Sequence, residues 1–192
     1  METKAKIGIV ISSTRPTRIG KEVAQWVLDI IKDVPQLNFE LIDLAVINLP
    51  FLDEPEQPAD QNYKYEHTKA WSKLVSSYDG FIFVLPQYNW GYPATLKNAL
   101  DFLYYEWHGK PVTIVSYGHH GGNKSAAQLQ IVLQGLHMKN TETNPQLSFK
   151  EDMFGGDGHF KDINKDFAEY EDVVMLSAKE LAELTEKARV NP

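Results

Sequence analysis

Hydrophobic residues in this chain form two patterns that take turns along the sequence. Short apolar runs occupy residues 7–11, 39–44, 80–85 and 110–115. A continuous run of this length is typical of a parallel strand buried on both faces, and the alternating run at 39–44 fits a strand near a sheet edge. A fifth strand is expected within residues 138–147, where the pattern is weaker.

Between these runs, apolar residues recur at the spacing of a helix with one buried face. The clearest stripe starts at Gly20 and ends before Pro35. Further helices are predicted at residues 65–77, after Pro93, at residues 123–136 and at residues 173–188. In the helix at 123–136, the residues expected to face inward are Ala127, Ile131 and Leu136. The Gly-rich residues 153–164 are predicted to form a loop or mobile flap.

The alternation of strands and helices predicts an α/β fold. Crossover connections between parallel strands are right-handed, which gives a doubly wound, five-stranded parallel sheet with helices on both faces. The chain has 192 residues, of which 43% are hydrophobic. This size suits one domain with a full core, which we assign to residues 1–192.

Composition removes several classes of function. The chain has no cysteine, which excludes disulfides, thiolate metal ligands and cysteine nucleophiles and fits a cytoplasmic protein. No stretch approaches the roughly 18 apolar residues of a membrane span. The net charge of −7 argues against nucleic-acid binding, which needs clustered Lys and Arg. We therefore expect a soluble protein that acts on small molecules, with neither nucleic acid nor membrane as partner.

Candidate chemistry is concentrated in three loops that each follow an apolar run. They are SSTRPTRIG after residues 7–11, PQYNWGYP after residues 81–85, and YGHHGG after residues 112–115. If the runs are neighbouring parallel strands, all three loops emerge at the carboxyl edge, where open α/β sheets bind ligands.

The first loop precedes a helix N-terminus, where free N–H groups and the helix dipole attract anions. Its donors suit a phosphomonoester. They are the hydroxyls of Ser12, Ser13, Thr14 and Thr17 and the guanidinium groups of Arg15 and Arg18. Neither the dinucleotide fingerprint nor a Walker A loop is present. From the loop alone, a solvated turn with a Ser or Thr helix cap is an equal alternative.

The second loop combines rigid flat surface with polar groups suited to a ring edge. The flat residues are Pro86, Tyr88, Trp90 and Tyr92, and the polar ones are Gln87 and Asn89. A partner-binding patch or a hydrophobic cap on the core is the alternative explanation.

In the third loop, Gly118, Gly121 and Gly122 allow main chain to approach a ligand closely. His119 and His120 are adjacent and point in different directions, and the other histidines are scattered. We therefore expect no metal site. No G-x-S-x-G elbow supports a serine hydrolase.

Three stretches together resemble a known family. They are SSTRPTRIGKEVAQWV, LPQYNWGYPATLKNALDFLYYEW followed by HGKP, and VSYGHHGGNKSAAQLQ. In this order they are similar to the signature stretches of NADPH-dependent FMN reductases of flavodoxin-like fold, a group that includes flavin, azo, chromate and quinone reductases. The resemblance spans residues 6–136, and the family usually has Gly-Ser where this chain has Ser12 and Ser13.

The resemblance implies an FMN site built from all three loops. The phosphate would be held by Ser13, Arg15, Arg18 and the amides of Ile19 and Gly20. The ribityl chain and the ring would lie beside Pro86, Gln87, Tyr88, Asn89 and Trp90, whose amides would face the polar ring edge. The other side of the ring pocket would be Ser116, Tyr117, Gly118 and His119.

The resemblance further implies an enzyme that carries hydride from NADPH or NADH through FMN to a quinone, flavin or azo acceptor. The order would be ping-pong, without a catalytic side chain, and the protein would be a homodimer or higher homo-oligomer. One alternative is a flavodoxin-type electron carrier or redox-sensing protein that binds FMN without turning over NAD(P)H. Another is a flavin-free α/β domain that binds a phosphorylated sugar or nucleotide.

Overall fold

A parallel sheet runs through the centre of the computed structural model, which describes residues 4–190. Its strands are β1 (Ala5–Ile11), β2 (Leu37–Asp43), β3 (Gly80–Pro86), β4 (Pro111–Gly118), β5 (Lys139–Asn140) and β6 (Gln146–Ser148). The order is β2-β1-β3-β4-β5, with β6 also paired to β4. Every pairing is parallel. The two short strands share the fifth position, so the predicted five-stranded arrangement is confirmed.

Helices cover both faces of this sheet. They are α1 (Gly20–Ile31), α2 (Leu44–Ile47), α3 (Glu66–Ser76), α4 (Ala94–Asp101), α5 (Asn123–Gly135), α6 (Ile163–Asp166) and α7 (Glu171–Val190). Along β3, Ile82 and Val84 face the core beneath α1 and α7, whereas Phe81, Phe83 and Leu85 face the core beneath α3, α4 and α5. This alternation is the period of two that strand geometry imposes. No helix within residues 4–190 is long and apolar enough to cross a membrane.

Of the three residues predicted to face inward from the helix at 123–136, Leu136 is partly buried against the core, but the prediction is wrong for the other two. Ala127 and Ile131 point to solvent, and Ile131 is 71% exposed. The buried residues are instead Ser125, Ala126, Leu129 and Leu133. The sequence AAQLQIVLQGL has apolar residues at helical spacing on two faces of α5. The face that packs against the sheet is the one with the small residues Ser125 and Ala126 near the helix N-terminus.

Strand β4 extends three residues beyond its predicted end at residue 115. Ser116, Tyr117 and Gly118 pair with β6, and Tyr117 also pairs with Pro86 of β3. Tyr117 and Gly118, two of the six residues of the predicted third loop, are therefore held as strand, which fixes their main chain at the carboxyl edge of the sheet.

The Gly-rich segment is a hydrogen-bonded hairpin, not an open loop. It follows a 3₁₀ turn at Glu151–Met153. Phe154 and Phe160 form an antiparallel bridge, and the Gly155 N–H donates to the His159 carbonyl at 2.8 Å. The stretch from residue 149 to residue 160 is called the 149–160 hairpin below.

Candidate functional site

The carboxyl ends of β1, β3 and β4 open onto one cleft of about 830 Å³. A volume of this size is typical of a small-molecule or cofactor site. All three predicted loops contribute to it. Its lining includes Arg15, Thr17, Arg18 and Ile19 from the first loop, Pro86, Gln87 and Tyr88 from the second, and Tyr117, Gly118, His119 and His120 from the third.

The first loop packs tightly against the end of β4. Gly20 starts α1, and a Cβ at this position would lie 2.2 Å from the Ser13 Oγ and 2.8 Å from the Tyr117 hydroxyl. The Tyr117 hydroxyl lies 3.4 Å from the Ser13 Oγ, and both residues are buried. Ser13 and Gly20 thus lie behind Tyr117, which lines the cleft, at the first-loop end of the cleft.

Helix α1 begins without a side-chain cap. Its N-cap residue is Ile19, which has no side chain able to accept from the first-turn amides. This end of the helix lies at the cleft, because Ile19 also lines it. First-turn amides without a side-chain acceptor suit an anion that the helix dipole also attracts.

Arg18 is already engaged by the protein. Its guanidinium donates to both oxygens of Asp43 at 2.6 Å and to the Ser13 carbonyl at 2.5 Å. Burial alone would raise the pKa of the Asp43 carboxyl, but hydrogen bonds from Arg18 and the Ala45 amide hold that pKa below its usual value. Arg15, by contrast, is exposed, with its guanidinium carbon 6.0 Å from the centre of the Tyr88 ring.

The second loop is a tight reverse turn. The N–H groups of Tyr88 and Gly91 each donate to the other residue's carbonyl, at 2.8 and 2.9 Å. Asn89 and Trp90 occupy the tip with φ of 47° and 70°, the left-handed region that a two-residue turn of this kind requires. The Trp90 ring is 67% exposed and lies beneath the Lys124 ammonium, outside the cleft lining.

Some polar groups of the second loop already bond to the protein, and the others remain available to a ligand. The Gln87 N–H donates to the Tyr117 carbonyl, and its side-chain oxygen accepts from the Lys124 N–H at the start of α5. The remaining free donor of Gln87 is its NH₂ group. Burial raises the pKa of the Tyr88 hydroxyl despite the opposing charge of Arg15, so this ring stays neutral and presents a flat face.

The glycines of the third loop have separate roles. Gly121 and Gly122 have φ of 66° and 72°, and a Cβ on either would lie 2.9 Å from a protein atom. Gly118 lines the cleft, and its nearest neighbour would be 3.5 Å from an added Cβ. Ser116 is fully buried and donates to the Gly121 carbonyl at 2.7 Å. Open main chain toward the cleft therefore comes from Gly118.

Four further residues complete the cleft and were not anticipated from the sequence. They are Phe149, Glu151, Phe154 and Gly158 of the 149–160 hairpin. The MFGGDGHF composition indicated a loop, but nothing local linked it to the first three loops. Within residues 4–190, no group of three or more His, Asp or Glu side chains is arranged to hold a metal ion.

The cleft fits a ligand that is anionic at one end and flat along its length. The uncapped start of α1 and the exposed Arg15 suit a phosphate, while Pro86, Tyr88 and Tyr117 supply flat walls. Gly118 leaves room for close contact with main chain. These are the features of FMN, a phosphate joined to a three-ring flavin.

Comparison with known proteins gives consistent results. The sequence profile of the family described as NADPH-dependent FMN reductase matches residues 5–152. An NAD(P)H-dependent FMN reductase of Schizosaccharomyces pombe is 46% identical over 149 residues, which is 77% of this chain and 74% of that protein. A Saccharomyces cerevisiae protein of the same description is 44% identical over 144 residues, 69% of this chain and 75% of its own length.

A solved structure bears on the fold alone. The flavoenzyme NAD(P)H:(acceptor) oxidoreductase FerB from Paracoccus denitrificans superposes with a TM-score of 0.71 at 18% identity, covering 96% of this chain and 98% of that one. The predicted flavodoxin-like fold is confirmed by this likeness together with the strand order.

Proposed function

Because this chain belongs to the NADPH-dependent FMN reductase family, we propose that it reduces a quinone, flavin or azo compound with NAD(P)H in a ping-pong sequence. The enzyme class and the cofactors, FMN with NADPH or NADH, follow from the family. When bound, FMN would supply the two-electron chemistry that links hydride donation by NAD(P)H to reduction of the acceptor. With a quinone, the electrons and two protons convert it to a hydroquinone.

The observation that carries this proposal is the convergence of three loops on one cleft at the carboxyl edge of the sheet. Arg15 is the charged donor for the phosphate, with the amides of Ile19 and Gly20 beside it. Ser13 shapes this end from behind. Arg18 acts on the phosphate mainly by fixing the Ser13 carbonyl, because Asp43 already occupies its guanidinium fork.

The ring is proposed to lie between the second and third loops. Pro86 and Tyr88 form one wall, and Tyr117, Gly118 and His119 form the other, with Ser116 supporting the turn from beneath. The NH₂ group of Gln87 and the amides of Asn89 and Trp90 are the donors proposed for the polar ring edge. The chain binds and orients, and no side chain is assigned a proton-transfer role.

We also propose a cytoplasmic homodimer or higher homo-oligomer. Large apolar side chains are exposed at Val46, Phe51 and Trp90, with exposed fractions of 75%, 85% and 67%. Exposed apolar surface of this kind often marks an interface. Light scattering on purified protein tests the assembly, and a monomer at all concentrations would contradict it.

Absorption spectra test the proposed function directly. Purified protein loaded with FMN is titrated with NADPH under argon, and we expect the flavin bands to bleach and then return when a quinone is added. Steady-state rates at several fixed quinone concentrations should give parallel double-reciprocal lines. Intersecting lines would contradict the ping-pong order, and flavin bands that NADPH leaves unchanged would contradict hydride transfer.

A further inference from the structure

The 149–160 hairpin closes one side of the cleft with aromatic side chains. Phe149, Glu151, Phe154 and Gly158 all line it. Phe149 and Phe154 are partly exposed. The family profile ends at residue 152, so the part of this wall from Phe154 onward lies beyond the matched region.

A continuous row of ring contacts ties this wall to the core. His119 of the third loop meets Phe149 at 4.8 Å between centroids, and Phe149 meets Phe154 at 5.2 Å. The row then continues through Phe160, Phe167 and Trp26, with centroid separations of 4.7, 5.0 and 5.4 Å. Phe167 is fully buried. Closely packed rings restrict one another, so contact with the buried Phe167 limits the movement of the cleft wall.

One residue of α1 fixes the hairpin from outside this row. The Glu22 carboxylate accepts from the Phe160 N–H at 3.1 Å and lies 2.5 Å from the His159 Nδ1. Glu22 is in the first turn of the helix whose N-terminus forms the phosphate end of the cleft. Helix α1 therefore helps to position both the first loop, at its N-terminus, and the 149–160 hairpin, through Glu22.

From this geometry we propose that the 149–160 hairpin is the wall that holds the acceptor's ring, with Phe154 as its contact surface and Glu22 as its positioning residue. The acceptors it selects are flat aromatic compounds such as naphthoquinones, which need an apolar face beside the flavin. Small inorganic ions need no such face. This inference rests on the proposed function and adds the structural basis of acceptor choice.

Two acceptors of different shape test the proposal on FMN-loaded enzyme. Menadione, a naphthoquinone, needs the wall, and ferricyanide, a small ion that takes one electron at a time, does not. For Phe154→Ala we expect the KM for menadione to rise about threefold to tenfold, the effect of one lost aromatic contact. The kinetic constants with ferricyanide and the KM for NADPH should stay within about twofold of wild type.

Glu22 is tested by a pair of variants. Glu22→Ala removes both contacts and should raise the KM for menadione severalfold with little change in kcat. Glu22→Gln keeps an oxygen for the Phe160 N–H and should restore much of the wild-type KM. Ile131→Ala, which shortens an exposed apolar side chain of α5 outside the cleft lining, is the surface control and should leave the kinetic constants for both acceptors unchanged.

Failure of the hairpin proposal and failure of the proposed function give different results in these experiments. A menadione KM in Phe154→Ala equal to that of the Ile131→Ala control overturns the proposal. Equal losses with menadione and ferricyanide also overturn it, because the hairpin would then serve FMN or NADPH. Failure of the wild-type enzyme to bind FMN, or to oxidise NADPH with either acceptor, would instead overturn the proposed function before any variant is compared.

Discussion

Arg15 and Arg18 lie three residues apart in one loop and have different surroundings. Arg18 is held in a nearly buried ion pair with Asp43, the two side chains being 11% and 12% exposed. Arg15 is exposed at the rim of the cleft. A buried, bidentate pair serves the scaffold, whereas an exposed guanidinium beside a helix N-terminus is available to an anion.

Arg15→Ala should therefore act on binding and Arg18→Ala on folding. We expect Arg15→Ala to weaken FMN binding about tenfold or more and riboflavin binding hardly at all, since a charged phosphate contact contributes roughly 1.5–3 kcal/mol. Arg18→Ala leaves Asp43 without its main partner and should lower the free energy of unfolding by about 3 kcal/mol. Flavin titrations and urea unfolding of both variants check this. Equal FMN and riboflavin losses in Arg15→Ala would show that the residue serves the fold.

Gly20 and Gly118 offer a matched pair of substitutions. A methyl at Gly20 would collide with the Ser13 hydroxyl and the Tyr117 hydroxyl, whereas a methyl at Gly118 meets only ordinary contacts. We expect Gly20→Ala to cost about 1–3 kcal/mol of stability, the usual range for overpacking. Gly118→Ala should fold like wild type, and Gly118→Val should lower FMN occupancy by filling the cleft. Thermal unfolding and flavin content distinguish the two positions, and an unfolded Gly118→Val would assign that glycine to the scaffold.

At the scale of elements, the attachment of the 149–160 hairpin to α1 depends on protonation. The hydrogen bond to Glu22 raises the pKa of His159 above its usual value of about 6.5, and the negative charges of Glu22 and Asp157 raise it further. Because the pKa of His159 is higher in the folded state, its contact with Glu22 stabilises the hairpin fully at a pH below the unfolded-state pKa. That stabilisation is lost as the pH rises through the folded-state pKa. The hairpin should therefore be held best under mildly acidic conditions.

The KM for menadione should accordingly rise in the wild-type enzyme as the pH is increased above about 6.5, the usual pKa of histidine. In His159→Ala the KM should already be high at the acidic end and should vary little with pH. Ferricyanide measured across the same range corrects for titration of the flavin and of NADPH. A wild-type KM that does not change with pH would show that the Phe160 contact alone holds the hairpin.

At the scale of the whole molecule, the proposed FMN site lies where β1, β3 and β4 end together, so FMN should stabilise the native sheet as a unit. Free FMN at a hundredfold excess over its Kd adds about 2.7 kcal/mol of stability. For a protein of this size that corresponds to a rise in Tm of roughly 5–10 °C. Riboflavin at the same concentration should raise Tm less, because it lacks the phosphate. Thermal unfolding with each flavin measures the difference. Equal rises in Tm with FMN and riboflavin would show that the first loop does not bind the FMN phosphate.

Much of the fold is encoded locally. The apolar run 80–85 predicts β3, and in the structure Phe81, Phe83 and Leu85 face one core while Ile82 and Val84 face the other. The loop compositions likewise placed Arg15, Tyr88 and Gly118 at one cleft. These inferences succeed because burial on both faces and turn chemistry depend mainly on a residue and its close neighbours in sequence.

Tertiary structure alone decided which partners those residues have. The Arg18 guanidinium meets Asp43, 25 residues away, and Glu22 meets His159, 137 residues away. The last residues of β4 are strand because β6 pairs with them, and α5 buries Leu129 instead of Ile131 because the sheet selects one of two apolar stripes. A sequence pattern reports that a residue can be buried or charged, whereas its partner depends on strand register and helix rotation, which only the packed molecule determines.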